Sequence, residues 1–166
     1  APKRREIVFI DAQISHADRI IADLSQSSES IDWIFVKLTS ARSGVEQISQ
    51  SMATLSGIDA VHIITQGDDA SLQLGNQTLS LLSAEAEAGQ IASWANALNP
   101  DASVNVYGTE LMGSQDGQAL LEALSLLCDC EVSAADSRGK EVAFIEETAN
   151  HATTLGASEL VEGQVQ

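Results

Sequence analysis

Short apolar runs alternate with segments of helical period along most of this chain, and no other feature constrains its fold as much. Glu6–Asp11 (EIVFID), Ile31–Leu38 (IDWIFVKL), Asp59–Thr65 (DAVHIIT) and Ser103–Tyr107 (SVNVY) read as short strands of a mostly buried sheet. Between them, Ala17, Ile20, Ile21 and Leu24 recur at helical spacing, with Ser15 as the expected cap. Ser43 and Glu46 form a capping-box pattern ahead of Val45, Ile48, Met52 and Leu55. A third helix is expected over Ala84–Leu98 and a leucine-rich fourth over Gln118–Leu127. Ser71–Leu74 and Gln77–Leu79 flank Gly75-Asn76, a hairpin signal. Glu131–Ala134 reads as a further strand and Glu141–Ile145 as another. The pattern predicts an α/β fold: a three-layer α/β/α sandwich on a mostly parallel central sheet with a small β-hairpin insertion. Residues 1–5 read as a linker, 6–146 as the domain and 147–166 as a C-terminal extension or tail.

The chain has 166 residues, enough for one domain to bury its own core. It carries 24 acidic residues against eight basic ones, a net charge of −16. Such a surface repels phosphate backbones and anionic lipid, so no nucleic-acid partner is expected. No apolar run approaches the roughly 20 residues that span a bilayer, so direct membrane insertion is not expected either. The oligomeric state is not legible, and a protein partner is the remaining class. The chain starts without methionine or a hydrophobic signal segment and is expected to be an excised or processed piece. Cys128 and Cys130 are separated by Asp129 alone, and the expectation is two free thiols, because a bridge across one residue is strained.

In parallel α/β sheets, functional groups gather at the carboxyl ends of the strands. Those ends hold Asp11, Leu38–Arg42, Thr65–Gly67 and Tyr107–Glu110. Asp11 and Arg42 are expected to brace the loops as an ion pair, with a remnant ligand pocket of Asp11, Arg42, His62, Gly67, Tyr107 and Gly108 as the alternative. His62, inside the third strand, reads as a hydrogen-bonded core histidine. His16 and His151 have no partner motif, and Trp33 and Trp94 read as core residues. Asp68-Asp69 is a weak cation candidate together with Asp11 or Glu110. No zinc spacing, EF-hand loop or glycine-rich phosphate loop is present, so no cofactor is expected.

The segments REIVFID, SGVEQISQSMATLSGIDAVHIITQG, SLQLGNQTLS, VNVYGTELM and GQALLEALSLLCDCEVSAADS resemble, from about Arg5 to about Gly139, a family called domain of unknown function 4347. That family sits near the amino-terminal end of very large bacterial surface and RTX-type adhesins and is distantly similar to the caspase-like cysteine peptidases. The resemblance implies a caspase-like fold and an extracellular or cell-surface setting. It also implies a catalytic His ahead of Gly67 and a catalytic Cys after Gly108. This chain has Thr65-Gln66-Gly67 and Tyr107-Gly108-Thr109 there. Gln66 cannot act as a base near neutral pH, and the Thr109 hydroxyl is a poor nucleophile without one. The expected function is therefore a non-catalytic module, structural or protein-binding. The alternatives are a hydrolase or autoprocessing domain with an unrecognised site, and a cation-binding structural module.

Overall fold

The computed structural model describes residues 3–27 and 29–136. The strand expected at Glu141–Ile145, the end of the domain at 146, His151 and the extension 147–166 lie outside the described residues. The elements run β1 (Arg4–Ile10), α1 (Ala17–Ser25), β2 (Ile31–Lys37), α2 (Gly44–Met52), β3 (Ile58–Ile64), β4 (Ser71–Leu74), β5 (Gln77–Ser80), α3 (Leu81–Ala86), α4 (Ala88–Ser93), β6 (Leu98–Thr109), α5 (Gln115–Cys128) and β7 (Glu131–Asp136). β1 begins at Arg4, inside the stretch read as a linker.

Five strands form a parallel sheet in the order β2-β1-β3-β6-β7, and β4-β5 pair antiparallel as a separate hairpin. The order follows from right-handed crossovers: the first turns the chain one way from β1 and the later ones turn it the other way. The pleat divides the core in two. Ile7, Phe9, Val61, Ile63, Val104 and Val106 face one side, where α2, α3, α4 and α5 supply Val45, Ile48, Ala84, Ile91, Leu120 and Leu124. Val8, Ile10, Ile64 and Tyr107 face the other, where α1 supplies Ala17, Ile20 and Leu24. This is the three-layer sandwich that the alternation predicts.

Local signals behave unevenly. Ser43 caps α2 as expected, its Oγ accepting from Glu46 N. Helix α1 is preceded by His16 rather than capped by Ser15. The single helix expected over Ala84–Leu98 is broken. A Ser80–Ser83 capping box starts α3 earlier, Glu87 leaves the helical region (φ −111°, ψ 24°), and Trp94–Ala97 tightens into a 3-10 turn that feeds β6. Strand β6 starts at Leu98 and includes Pro100, because the register with β3 shifts between Ile58 and Ala60 and a proline is tolerated where ladder bonds are interrupted.

The cysteines correct the sequence reading. Cys128 and Cys130 form a disulfide. Asp129 adopts the left-handed conformation (φ 52°, ψ 50°) at the end of α5, which curls the chain until the cysteine Cα atoms are 5.5 Å apart. That separation lies within the ordinary disulfide range. A spacing argument made for an extended chain misses this turn.

On the α1 side a polar network crosses the sheet. Glu6 lies opposite Ala60 and Val8 opposite His62, so Glu6 and His62 project from the same face of neighbouring strands. Glu6 Oε1 meets His62 Nε2 at 2.7 Å, His62 Nδ1 meets the Tyr107 hydroxyl at 3.2 Å, and Arg4 Nε donates to Glu6 Oε2 at 3.0 Å. Glu6, His62 and Tyr107 are all fully buried. Removing one member of a buried polar pair strands the other. Glu6→Ala is therefore expected to lower unfolding free energy by about 2–4 kcal/mol in urea titration, whereas Gln50→Ala, at an exposed position of α2, should shift it by less than about 0.5 kcal/mol.

Candidate functional site

The carboxyl edge of the sheet is built around the β4–β5 hairpin. Asp11 follows β1 and is only 2% exposed. Its backbone N–H donates to Ile64 O at 2.9 Å. Its Oδ1 accepts from Gly75 N at 2.7 Å and its Oδ2 from Gln13 N at 3.2 Å. Gly75, at φ +63°, is the turn residue of the hairpin, and a Cβ there would collide with Arg42 O. The next residue, Asn76, donates its N–H to that same Arg42 carbonyl at 3.0 Å. Asp11 and Arg42 thus both hold the hairpin tip, but not as the ion pair expected from the sequence. The Arg42 guanidinium instead reaches Glu46 Oε1 at 2.8 Å, one helical turn away. A carboxylate at a strand end finds a backbone N–H sooner than a flexible side chain from another loop.

The rest of the hairpin is tied down just as closely. Gln73 N donates to Gln66 O at 2.9 Å, Asp68 N to Ser71 O at 3.0 Å, and Thr65 Oγ1 to Gln73 O. Gln77 Oε1 accepts from Val45 N at 3.0 Å and from the Ser43 hydroxyl, so β5 helps to cap α2. Leu72, Leu74 and Leu79 are buried in the main core. The crevice where strand order reverses, between β1 and β3, is the usual ligand position in such sheets. Here the chain's own hairpin lies over it.

The strand ends carrying Gln66 and Thr109 are adjacent. Thr65 N donates to Tyr107 O at 3.0 Å and Gly67 N to Gly108 O at 3.1 Å. A Cβ on Gly67 would lie 2.9 Å from Thr109 Cγ2, and Gly108, at φ +96°, has no room for a Cβ against Thr65 O. The two side chains meet different fates. Gln66 is exposed, whereas Thr109 is fully buried and its Oγ1 has no hydrogen-bond partner among the described residues. A nucleophile cannot work from an enclosed position unless the loops move.

A shallow polar hollow of about 350 Å³ lies beside Gln66, lined by Gln13, Gly67, Asp68, Ser71, Gln73 and Thr78. Asp68 is its carboxylate. Its Oδ1 accepts from Ala70 N (2.9 Å), Ser71 N (2.8 Å) and Ser71 Oγ (3.0 Å). The Ala70 N–H first, and then the Ser71 hydroxyl, hold this carboxyl below its ordinary value of 3.8. Such a group is a weak base and an engaged loop anchor. Asp69 is exposed, and its carbonyl accepts from Ser114 Oγ at the start of α5. Among the described residues, no group of three His, Cys, Asp or Glu side chains is placed to hold a metal ion. His62 and Tyr107 are brought together, but in the buried network and not in this hollow. Glu6 was missed by sequence reasoning. Its signal is a carboxylate at the head of the apolar run of β1, in step with His62.

Residues 7–146 match the profile of a family described as domain of unknown function DUF4347. No curated protein matches the chain. Among solved structures, a diflavin flavoprotein A3 from Nostoc sp. aligns over 99% of this chain and 98% of that one, at 13% identity and a TM-score of 0.41. That likeness is too loose to inform function.

Two outcomes follow from this edge. Thr109→Val keeps the shape and removes an unpaired buried hydroxyl, so it is expected to be neutral or to stabilise by up to about 1 kcal/mol, read by urea denaturation. The Asp68 anchor helps to hold its loop above pH 3.8 and loses that effect as pH falls below it, because the folded value is depressed. Asp68→Asn should therefore flatten the acid limb of a stability-versus-pH curve below that point.

Proposed function

Given that the chain belongs to the domain of unknown function DUF4347 family, we propose that it is a non-catalytic module of a larger secreted or surface-attached bacterial protein, serving as a structural or protein-interaction block. The observation that carries this reading is the hairpin lying over the carboxyl edge, anchored by Asp11 and Arg42 where an α/β enzyme would hold its ligand. The caspase-like resemblance adds a second support. At the positions that would carry the dyad, Gln66 is an exposed amide and Thr109 an enclosed hydroxyl. Loss of both members of a coupled pair leaves little catalysis, since removing one alone typically costs a factor on the order of a million.

The setting is supported by the Cys128–Cys130 disulfide, because such bonds persist mainly in oxidising compartments. The charge of −16 disfavours nucleic-acid and anionic-membrane roles and leaves proteins as the natural partner class. Among the described residues no helix is long and apolar enough to cross a membrane.

The test is hydrolysis of a mixed library of fluorogenic peptides. The expected release equals that of buffer and is unchanged in Gln66→Ala and Thr109→Ala. Turnover that either variant abolishes would overturn the reading. Separately, the unfolded, unreduced protein should take up no iodoacetamide. Two adducts would remove the disulfide and its support for an oxidising compartment.

A further inference from the structure

The Cys128–Cys130 bridge does little of what a structural disulfide does. The stabilisation a bridge brings grows with the length of chain it closes, and this one spans Asp129 alone. The turn that brings the two residues together is also held without it. Asp129 N and Cys130 N both donate to Ser125 O, the latter at 3.2 Å, and Ser125 Oγ donates to Cys130 O at 2.5 Å. These bonds involve no sulfur, so they remain when the sulfurs part. Cys128, buried in the main core, then becomes a thiol, which packs as a small apolar group. The fold thus holds two sulfurs side by side without relying on the bond between them.

The two cysteines differ in access. Cys128 is 1% exposed, whereas Cys130 is half-buried between the exposed Asp129 and Glu131. The pair lies where α5 enters β7, at the amino end of the strands: Glu131 pairs with Ser103, whereas Thr109 pairs with Asp136 at the other end. We propose that Cys128–Cys130 is a thiol–disulfide exchange site for an external dithiol, with Cys130 Sγ as the sulfur attacked. One thiolate of the dithiol bonds to Cys130 Sγ as the bond to Cys128 Sγ breaks, and Cys128 leaves as a thiolate that takes a proton. The second thiolate of the dithiol then bonds to its own partner sulfur and releases Cys130, which takes the second proton. The bridge gains two electrons and the dithiol is oxidised to a disulfide. A single thiol stalls after the first step, because Cys128, held alongside, reforms the bridge and expels it. The partner class is therefore a paired thiol. This goes beyond the reading of the chain as a non-catalytic module and uses a different edge of the sheet.

The experiment treats the folded full chain with dithiothreitol, traps thiols with iodoacetamide and counts adducts by mass. Two adducts should appear together, with circular dichroism unchanged and the urea midpoint lowered by less than about 1 M. Oxidised dithiothreitol should then restore the bridge and abolish the adducts. Cys128→Ala and Cys130→Ala, each leaving one thiol, are next mixed with oxidised glutathione. Cys130 in the first should form the mixed disulfide at least about tenfold faster than Cys128 in the second. If either variant unfolds, the order is read in the reduced wild-type chain, which should carry glutathione on Cys130 when quenched early and mapped by peptide mass. Thiols that appear only after unfolding, a reduced chain that loses its fold, or reaction at Cys128 as fast as at Cys130 would overturn the proposal. Two adducts on the untreated chain would remove the bridge, and with it both the proposal and the oxidising setting, but not the non-catalytic reading, which stands on the hairpin. Peptide hydrolysis by a chain that exchanges as expected removes only that reading.

Discussion

Asp11 accepts a hydrogen bond from Gly75 across 64 positions of sequence, and much of the carboxyl edge depends on that contact. A parallel sheet cannot close its own strand ends, because each strand must leave for a crossover. Its carboxyl edge is therefore a row of loops that needs an organiser. Here the organiser is a two-stranded hairpin, which is marginal alone and gains stability by burying leucines in a larger core. Leu72, Leu74 and Leu79 do this while Asp11, the Arg42 carbonyl and the Gln66 carbonyl hold the backbone. The same insertion that stabilises the edge also lies over the crevice between β1 and β3.

The polar network on the α1 side follows a different rule. Buried ionisable groups are tolerated when they are bonded to one another, and Glu6, His62 and Tyr107 meet that condition through the register of β1, β3 and β6. A one-residue slip of β1 would turn Glu6 into the apolar side of the sheet, so the network also helps to specify register. It places His62, the strand histidine among the described residues, where it serves architecture.

The glycines beside Gln66 and Thr109 are held by geometry. Gly108 remains because its φ of +96° and its closeness to Thr65 O leave no room for a side chain, and Gly67 because Ser71 and Thr109 crowd it. Those demands are geometric and persist whatever the neighbouring residues do. Gln66 and Thr109 beside them answer no such demand, and one is exposed while the other is enclosed.

The order of strands and helices, the hairpin at Gly75-Asn76, the Ser43 cap and the family were legible in the sequence by itself. Each is written in periodicity, in turn residues or in motifs spaced along the chain. Only the tertiary structure decided that Asp11 binds the hairpin instead of Arg42, that Glu6 joins His62, that Cys128 reaches Cys130, and that Thr109 is enclosed while Gln66 is not. These outcomes turn on register, on which face a side chain takes, and on one left-handed residue at Asp129. Local propensities do not encode such quantities, because they arise when distant segments compete for the same few donors and the same buried volume.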